Sequence, residues 1–185
     1  MKLKGIVLAG GKSSRFGEDK ALARWNGKTL MERAVELLDS LRLDPVVIAN
    51  STRDYSFLTC PIANDLIPEK GPLGGLYTAC SLFPEMSLLV LTCDMPLLTQ
   101  NILNKLIQNQ QPSDQAVVFN CKGALQPFPG IYPGTLKEVI RDILSSEELS
   151  MKSFLSRIRI RFPHPEISEL PAFENVNRKE DLNYL

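Results

Sequence analysis

Two hydrophobic periodicities alternate along the chain. Near the N-terminus, "LKGIVLA" (3–9) is an almost continuous apolar run, the pattern of a strand buried on both faces. A Gly/Ser-rich stretch follows, and then Asn26-Gly27 marks a tight turn inside "ALARWNGKTL". From Thr29 onward, Leu30, Ala34, Leu37, Leu38 and Leu41 recur at helical spacing, and Thr29 with Glu32 has the form of a capping box. "PVVIAN" (45–50) predicts a second buried strand and "CPIAND" (60–65) a short third. "GPLGGLYTACSLF" (71–83) opens a helix, "SLLVLTCD" (87–94) is another buried strand, and "TQNILNKLIQ" (99–108) another helix. "QAVVFNC" (115–121) and "PFPGIY" (127–132) read as a strand pair around the Lys122-Gly123 turn. Beyond them lie a helix in "GTLKEVIRDIL" (134–144), the segment "MKSFLSRI" (151–158), an alternating strand "RIRIRF" (157–162) and a short helix from Arg178.

Strand–helix alternation through the N-terminal half predicts an α/β fold, with a mostly parallel twisted sheet and helices on both faces. The turn pair of the second half suggests a smaller antiparallel addition. At 185 residues, with no internal repeat and no linker, residues 1–185 are expected to form a single domain. In open sheets of this kind ligands sit at the carboxyl ends of the strands. Attention therefore falls on the residues after each strand: Gly10 to Lys20, Asn50, Asp65 and Asp94.

Composition narrows the function classes. Lys and Arg balance Asp and Glu at 21 each, so no net field attracts nucleic acid or an anionic membrane, and neither partner is expected. The longest apolar run, "SLLVLTC", is strand-sized, well short of a membrane span. Cys60, Cys80, Cys93 and Cys121 contain no C-x-x-C pair and read as reduced, mostly buried thiols of a cytoplasmic protein. The single histidine, His164, stands between two prolines in a loop-like context, which disfavours Ser-His-Asp and Cys-His chemistry. Carboxylates, lysines, backbone amides and a metal are left to do the work.

The loop "GIVLAGGKSSRFGEDK" (5–20) has the composition of a phosphate cradle but neither familiar spelling. A P-loop requires a glycine at position 6, where Ile6 stands, and Gly5 is one place early. G-x-G-x-x-G fails because Gly10 and Gly11 are adjacent. Glycines at 10, 11 and 17 nevertheless allow backbone amides to face an anion, and Lys12, Arg15 and Lys20 bring three positive charges to one loop. Asp94 ends a buried strand ahead of Met95-Pro96, a position suited to holding magnesium or, more simply, to capping the turn. Gly74-Gly75 in "GPLGGL" either brings a helix start against a ligand or makes a plain loop–helix junction. Trp25, beside the turn, reads as core rather than as a stacking platform.

Taken in order, "LAGGKSSRFGEDKAL", "GPLGGL", "LTCDMP" and "ENVNRKEDL" resemble the nucleotidyltransferase superfamily with its G-G-x-S-x-R-x-G…K signature. Within it the chain resembles the molybdenum cofactor guanylyltransferase family, through its short length, "CDMP", "QPFPGIY" and "ENVNRKEDL". The resemblance implies a Rossmann-like nucleotidyltransferase fold, with 1–100 binding the nucleotide and 101–185 the acceptor. It implies transfer of GMP from GTP to the terminal phosphate of molybdopterin, with release of pyrophosphate and Mg2+ as cofactor. Leu8, Ala9 and Gly10 would present backbone to the guanine and nucleotide, and Gly11 through Lys12 to Arg15 would wrap the phosphates. Lys20 and Arg15 would stabilise charge, Asn50 and Asp65 would contact base or ribose, and Asp94 would hold magnesium with Asn177 as a second contact. Ile48 departs from the family's polar residue two places before Asn50, which leaves the base contact open. The resemblance also implies transient contact with proteins that supply the acceptor and receive the product. Rival readings are a molybdopterin cytidylyltransferase, a phospholactate guanylyltransferase, a P-loop NTPase and a non-catalytic nucleotide-binding relative.

Overall fold

The computed structural model describes residues 2–9, 16, 19–50, 54–111, 116–145 and 149–184. The opening apolar run becomes β1 (Leu3–Ala9), its last five residues buried, and it is an interior strand of the sheet. The Asn26-Gly27 turn joins a two-residue hairpin, β2 (Arg24–Trp25) and β3 (Lys28–Thr29). Both turn residues have positive φ, 50° and 82°, the left-handed conformation that asparagine and glycine tolerate best.

Helix α1 (Leu30–Ser40) starts where the capping box predicts. Glu32 N donates to Thr29 Oγ1 at 3.1 Å, and Thr29 N donates to Glu32 Oε2 at 2.7 Å. This satisfies two amides that the helix cannot pair internally. The inward face carries Leu30, Met31, Ala34, Val35 and Leu38, while Leu37 and Leu41 are half-buried. Next come β4 (Val46–Ala49), β5 (Ile62–Asn64), α2 (Gly71–Leu82), β6 (Ser87–Thr92) and α3 (Gln100–Asn109). The antiparallel pair is β7 (Ala116–Cys121) and β8 (Ala124–Pro133), followed by α4 (Lys137–Leu144), α5 (Met151–Ser156) and β9 (Ile160–Arg161).

Seven strands form one sheet in the order β5-β4-β1-β6-β8-β7-β9, and among them only β8 runs against the rest. The turn pair of the second half is thus continuous with the main sheet, and the separate two-stranded sheet is the β2–β3 hairpin. "RIRIRF" contributes only Ile160 and Arg161 as strand, because α5 runs to Ser156 and Arg157 closes it.

Helices cover both faces. The Cα of Gly5 faces Leu38 of α1, whereas the side chain of Leu8 faces Gly75 of α2. Residues 5 and 8 differ in parity along the strand, so α1 and α2 lie on opposite faces. Gln110, just after α3, donates to Ser87 Oγ at 2.6 Å; Ser87 pairs with Leu3, which puts α3 on the α1 face. One buried apolar cluster runs from Ile6 to Val176. All four cysteines are free thiols, with Cys80 and Cys93 buried. No described helix is long and apolar enough to cross a membrane.

The end of the chain is tied back onto this body. Lys105 on α3 forms ion pairs with Glu166 at 2.9 Å and Glu169 at 2.8 Å, next to the 3-10 segment Ile167–Phe173. Phe173 packs edge-on against Phe119 of β7, their ring centres 4.9 Å apart.

Candidate active site

Parallel register gathers the strand ends. Ala9 pairs with Ala49, Ala49 with Asn64, and Leu8 with Thr92. The residues that follow β4, β5 and β6, namely Asn50, Asp65 and Asp94, therefore stand along one carboxyl edge, as the rule for such sheets requires.

Lys20 and Asp94 meet at this edge. Lys20 Nζ donates to Asp94 Oδ2 at 2.9 Å across 74 residues, and each side chain is about one-fifth exposed, at 19% and 20%. Asp94 Oδ1 accepts the hydroxyl of Thr92 at 2.6 Å, so both carboxylate oxygens are oriented. Lys20 itself opens a 3-10 turn, Lys20–Leu22, capped by Asp19, whose Oδ1 accepts from Ala21 N at 3.1 Å.

The C-terminal motif closes on the same residue. Val176 N donates to Asp94 O at 2.8 Å, which brings Asn177 next to the strand end. Asn177 N and Arg178 N both donate to Asp181 Oδ2, at 2.7 and 2.9 Å. Those two backbone bonds, with the charges of Arg178 and Lys20 behind them, hold the Asp181 carboxyl below its ordinary range. The neighbouring thiol of Cys93 is pushed up to about 12 by burial and, next, by the charge of Asp94. It stays protonated at neutral pH and is no nucleophile.

Asp65 has a local task. Its Oδ1 accepts from Thr78 Oγ1 at 2.7 Å and from Ile67 N at 3.1 Å, tying the turn before α2 to the second turn of that helix. Gly74 and Gly75 face protein at their bare Cα positions. A Cβ on Gly74 would stand 2.6 Å from Ile67 O, and one on Gly75 3.1 Å from Leu8 Cδ2. Close packing of α2 on its own turn and on β1 thus accounts for this glycine pair without a ligand. Alanine for glycine inside a helix ordinarily stabilises. Here Gly74→Ala is expected to destabilise by about 1–3 kcal/mol through overpacking, read as a lowered urea midpoint at constant slope. The N-cap residue of α2, Lys70, makes no side-chain cap, and Pro72 in the first turn has no amide hydrogen to satisfy.

Of the remaining expected residues, Leu8 and Ala9 are buried at the end of β1 and Asn50 is half-buried after β4. Gly10, Gly11, Lys12 and Arg15 lie outside the described residues. Trp25 packs against the core with the Arg33 guanidinium 4.3 Å from its ring centre. His164 is an exposed loop residue set edge-on to Phe162.

Asp19, Tyr55, Thr92 and Asp181 were not singled out from sequence. An acidic residue directly before the 3-10 turn is a recognisable cap signal at Asp19, and Asp181 lies within the quoted "ENVNRKEDL". Thr92 and Tyr55 carry no local sign, since each acts through a neighbour set by the fold. A cavity of about 430 Å³ lies between α1 and the segment after β6, lined by Arg33, Leu37, Thr92, Cys93 and Met95 among others, but neither Lys20 nor Asp94 faces it.

The described residues between Asp19 and Thr29 form a 3-10 turn and a hairpin, and the first α-helix among the described residues starts at Leu30.

Oxygen donors suited to a hard cation are present in Asp94 and the Asn177 carboxamide, and a lysine ammonium already rests on the carboxylate. Among the described residues no group of three His, Cys, Asp or Glu is close enough to hold a metal alone. Magnesium fits such a sparse set, since it takes one or two carboxylates and completes its shell with water and substrate phosphates.

Residues 5–161 match the MobA-like NTP transferase domain family. The chain belongs to that family. This nucleotidyltransferase is 34% identical to a probable molybdenum cofactor guanylyltransferase of Bacillus licheniformis, over 98% of this chain and 95% of the relative. It is 30% identical to a protein of the same description from Flavobacterium johnsoniae, over 97% and 94%. In fold the transferase is similar to the crystal structure of molybdopterin-guanine dinucleotide biosynthesis protein A from Archaeoglobus fulgidus. That match has a TM-score of 0.84 and 21% identity, and covers 98% of this chain and 95% of the other.

Proposed function

We propose that this transferase moves GMP from GTP to the terminal phosphate of molybdopterin and releases pyrophosphate. The observation that carries the proposal is the Lys20–Asp94 pair at the carboxyl edge of a nucleotidyltransferase sheet. The names of its curated relatives supply the base and the acceptor.

An oxygen of the acceptor phosphate attacks the α-phosphorus in line, forming one P–O bond. The bond from that phosphorus to the β-phosphate oxygen breaks, and the electron pair leaves with pyrophosphate. The nucleophile is already an anion near neutral pH, so no base has to remove a proton. What the site must do is bring anions together and hold them in line. Lys20 neutralises the α-phosphate side, with Gly11, Lys12 and Arg15 around the phosphate chain and Gly10 presenting backbone to the nucleotide. Asp94, with Asn177, would hold Mg2+, whose charge offsets that of the phosphates. Leu8 and Ala9 offer backbone to the base, with Asn50 and Asp65 beside them. Residues 1–100 then serve the nucleotide and 101–185 the acceptor, within one domain. We place the protein in the cytoplasm, in passing contact with the proteins that supply the acceptor and take the product.

Calorimetry with GTP, CTP and ATP in the presence of Mg2+ tests the base. GTP is expected to bind well above the other two. Tight CTP binding would move the protein to a cytidylyl transfer with the same mechanism, and binding of none would sink the reading.

A further inference from the structure

A single 3-10 turn is too short to hold a lysine in place by its own hydrogen bonds, and Lys20 sits at the start of one. Asp19 uses one oxygen to cap that turn. Its other oxygen, Oδ2, accepts the phenol of Tyr55 at 2.7 Å, a partner 36 residues further on. Tyr55 lies in the segment that follows β4 and Asn50. It is 1% exposed and set edge-on to Phe57, their ring centres 6.2 Å apart. A ring packed this closely has little rotational freedom, so its hydroxyl is a fixed point. A phenol donating to a carboxylate is also a charge-assisted bond, stronger than a neutral one.

We propose that Tyr55 is a positioning residue for the transfer: through Asp19 it fixes the Lys20 turn and so keeps Nζ on the phosphate-facing side at Asp94. The proposal rests on the reading of Lys20 given above and adds a mechanical link to it. The chain after β4, which carries the base-side residue Asn50, is thereby latched to the residue that meets the α-phosphate. Lys20 and Asp94 sit at opposite ends of a 74-residue separation, and Tyr55 lies between them in sequence, so no local pattern marks the link.

Tyr55→Phe removes one oxygen and leaves the ring in the core. The first readout is acetylation of each lysine by acetic anhydride, followed peptide by peptide in the mass spectrometer. Loss of a hydrogen bond to a charged group is expected to raise Lys20 labelling about tenfold. Lys28 and Lys105, which have their own carboxylate partners, stay as in the wild type. The second readout is steady-state transfer of GMP, where kcat is expected to fall about tenfold with little change in KM for GTP. Asp19→Asn, which keeps an oxygen for Ala21 N but loses the charge, should act in the same direction. The double variant should be no worse than Tyr55→Phe alone.

Unchanged Lys20 labelling in both single variants would overturn the proposal. So would a uniform rise over all lysines, which would mean general loosening, or an unchanged kcat beside a selective rise. If wild type transfers no GMP yet the selective rise is seen, the latch stands and the function proposed above falls.

Discussion

With Lys20 replaced by methionine, kcat for GMP transfer is expected to fall by about 10²–10³ while the KM for GTP moves far less. The split follows from where charge accumulates. In the proposed mechanism Lys20 would meet a negative charge that grows as the leaving pyrophosphate takes its electron pair, so its contribution would be larger in the transition state than in the bound ground state. Methionine keeps an unbranched chain of similar length, which preserves packing beside the 3-10 turn. Stability should change by only about 1 kcal/mol, as for other ion pairs near the surface. Pyrophosphate release followed at saturating GTP measures the effect, and thermal unfolding controls for the fold. A kcat within threefold of wild type would remove Lys20 from the chemistry.

Asp94→Asn is the companion substitution and should cost about as much, roughly 10²–10³, with a different signature. The carboxamide keeps an oxygen for the Thr92 hydroxyl but loses the charge that Lys20 pairs with. The Mg2+ concentration for half-maximal transfer should therefore shift upward, which Lys20→Met should not cause. Because the two side chains are paired at 2.9 Å and would act on one reaction centre in the proposed mechanism, the double variant should be far less impaired than the product of the single losses. A strictly multiplicative double variant would mean that the two act at separate places.

Much of the frame is written locally. The almost continuous apolar run at 3–9 predicts burial on both faces, and Thr29 with Glu32 announces the first long helix before any contact is known. Asp94 was legible because a carboxylate after a buried strand must lie at the sheet edge, and Lys20 because it completes a recognisable loop. Periodicity does not report which strands become neighbours. The strand order placing β8 between β6 and β7 has no local signature, and neither does Val176 bonding to Asp94. Alternation alone overstated "RIRIRF", since the preceding helix consumed its first residue. Gly74-Gly75 left a ligand and a plain loop–helix junction both open, because a bare backbone looks the same in sequence whatever approaches it. The structure fills those positions with Ile67 and Leu8.

The contact between Val176 and Asp94 also orders events in time. A chain made from its N-terminus presents the Lys20 loop first, then the aspartate, and only much later the stretch around Asn177 that docks beside it. A nascent chain can form most of the sheet while this corner is still open. If the corner holds a cation as proposed, Asn177 would join that site only late in synthesis.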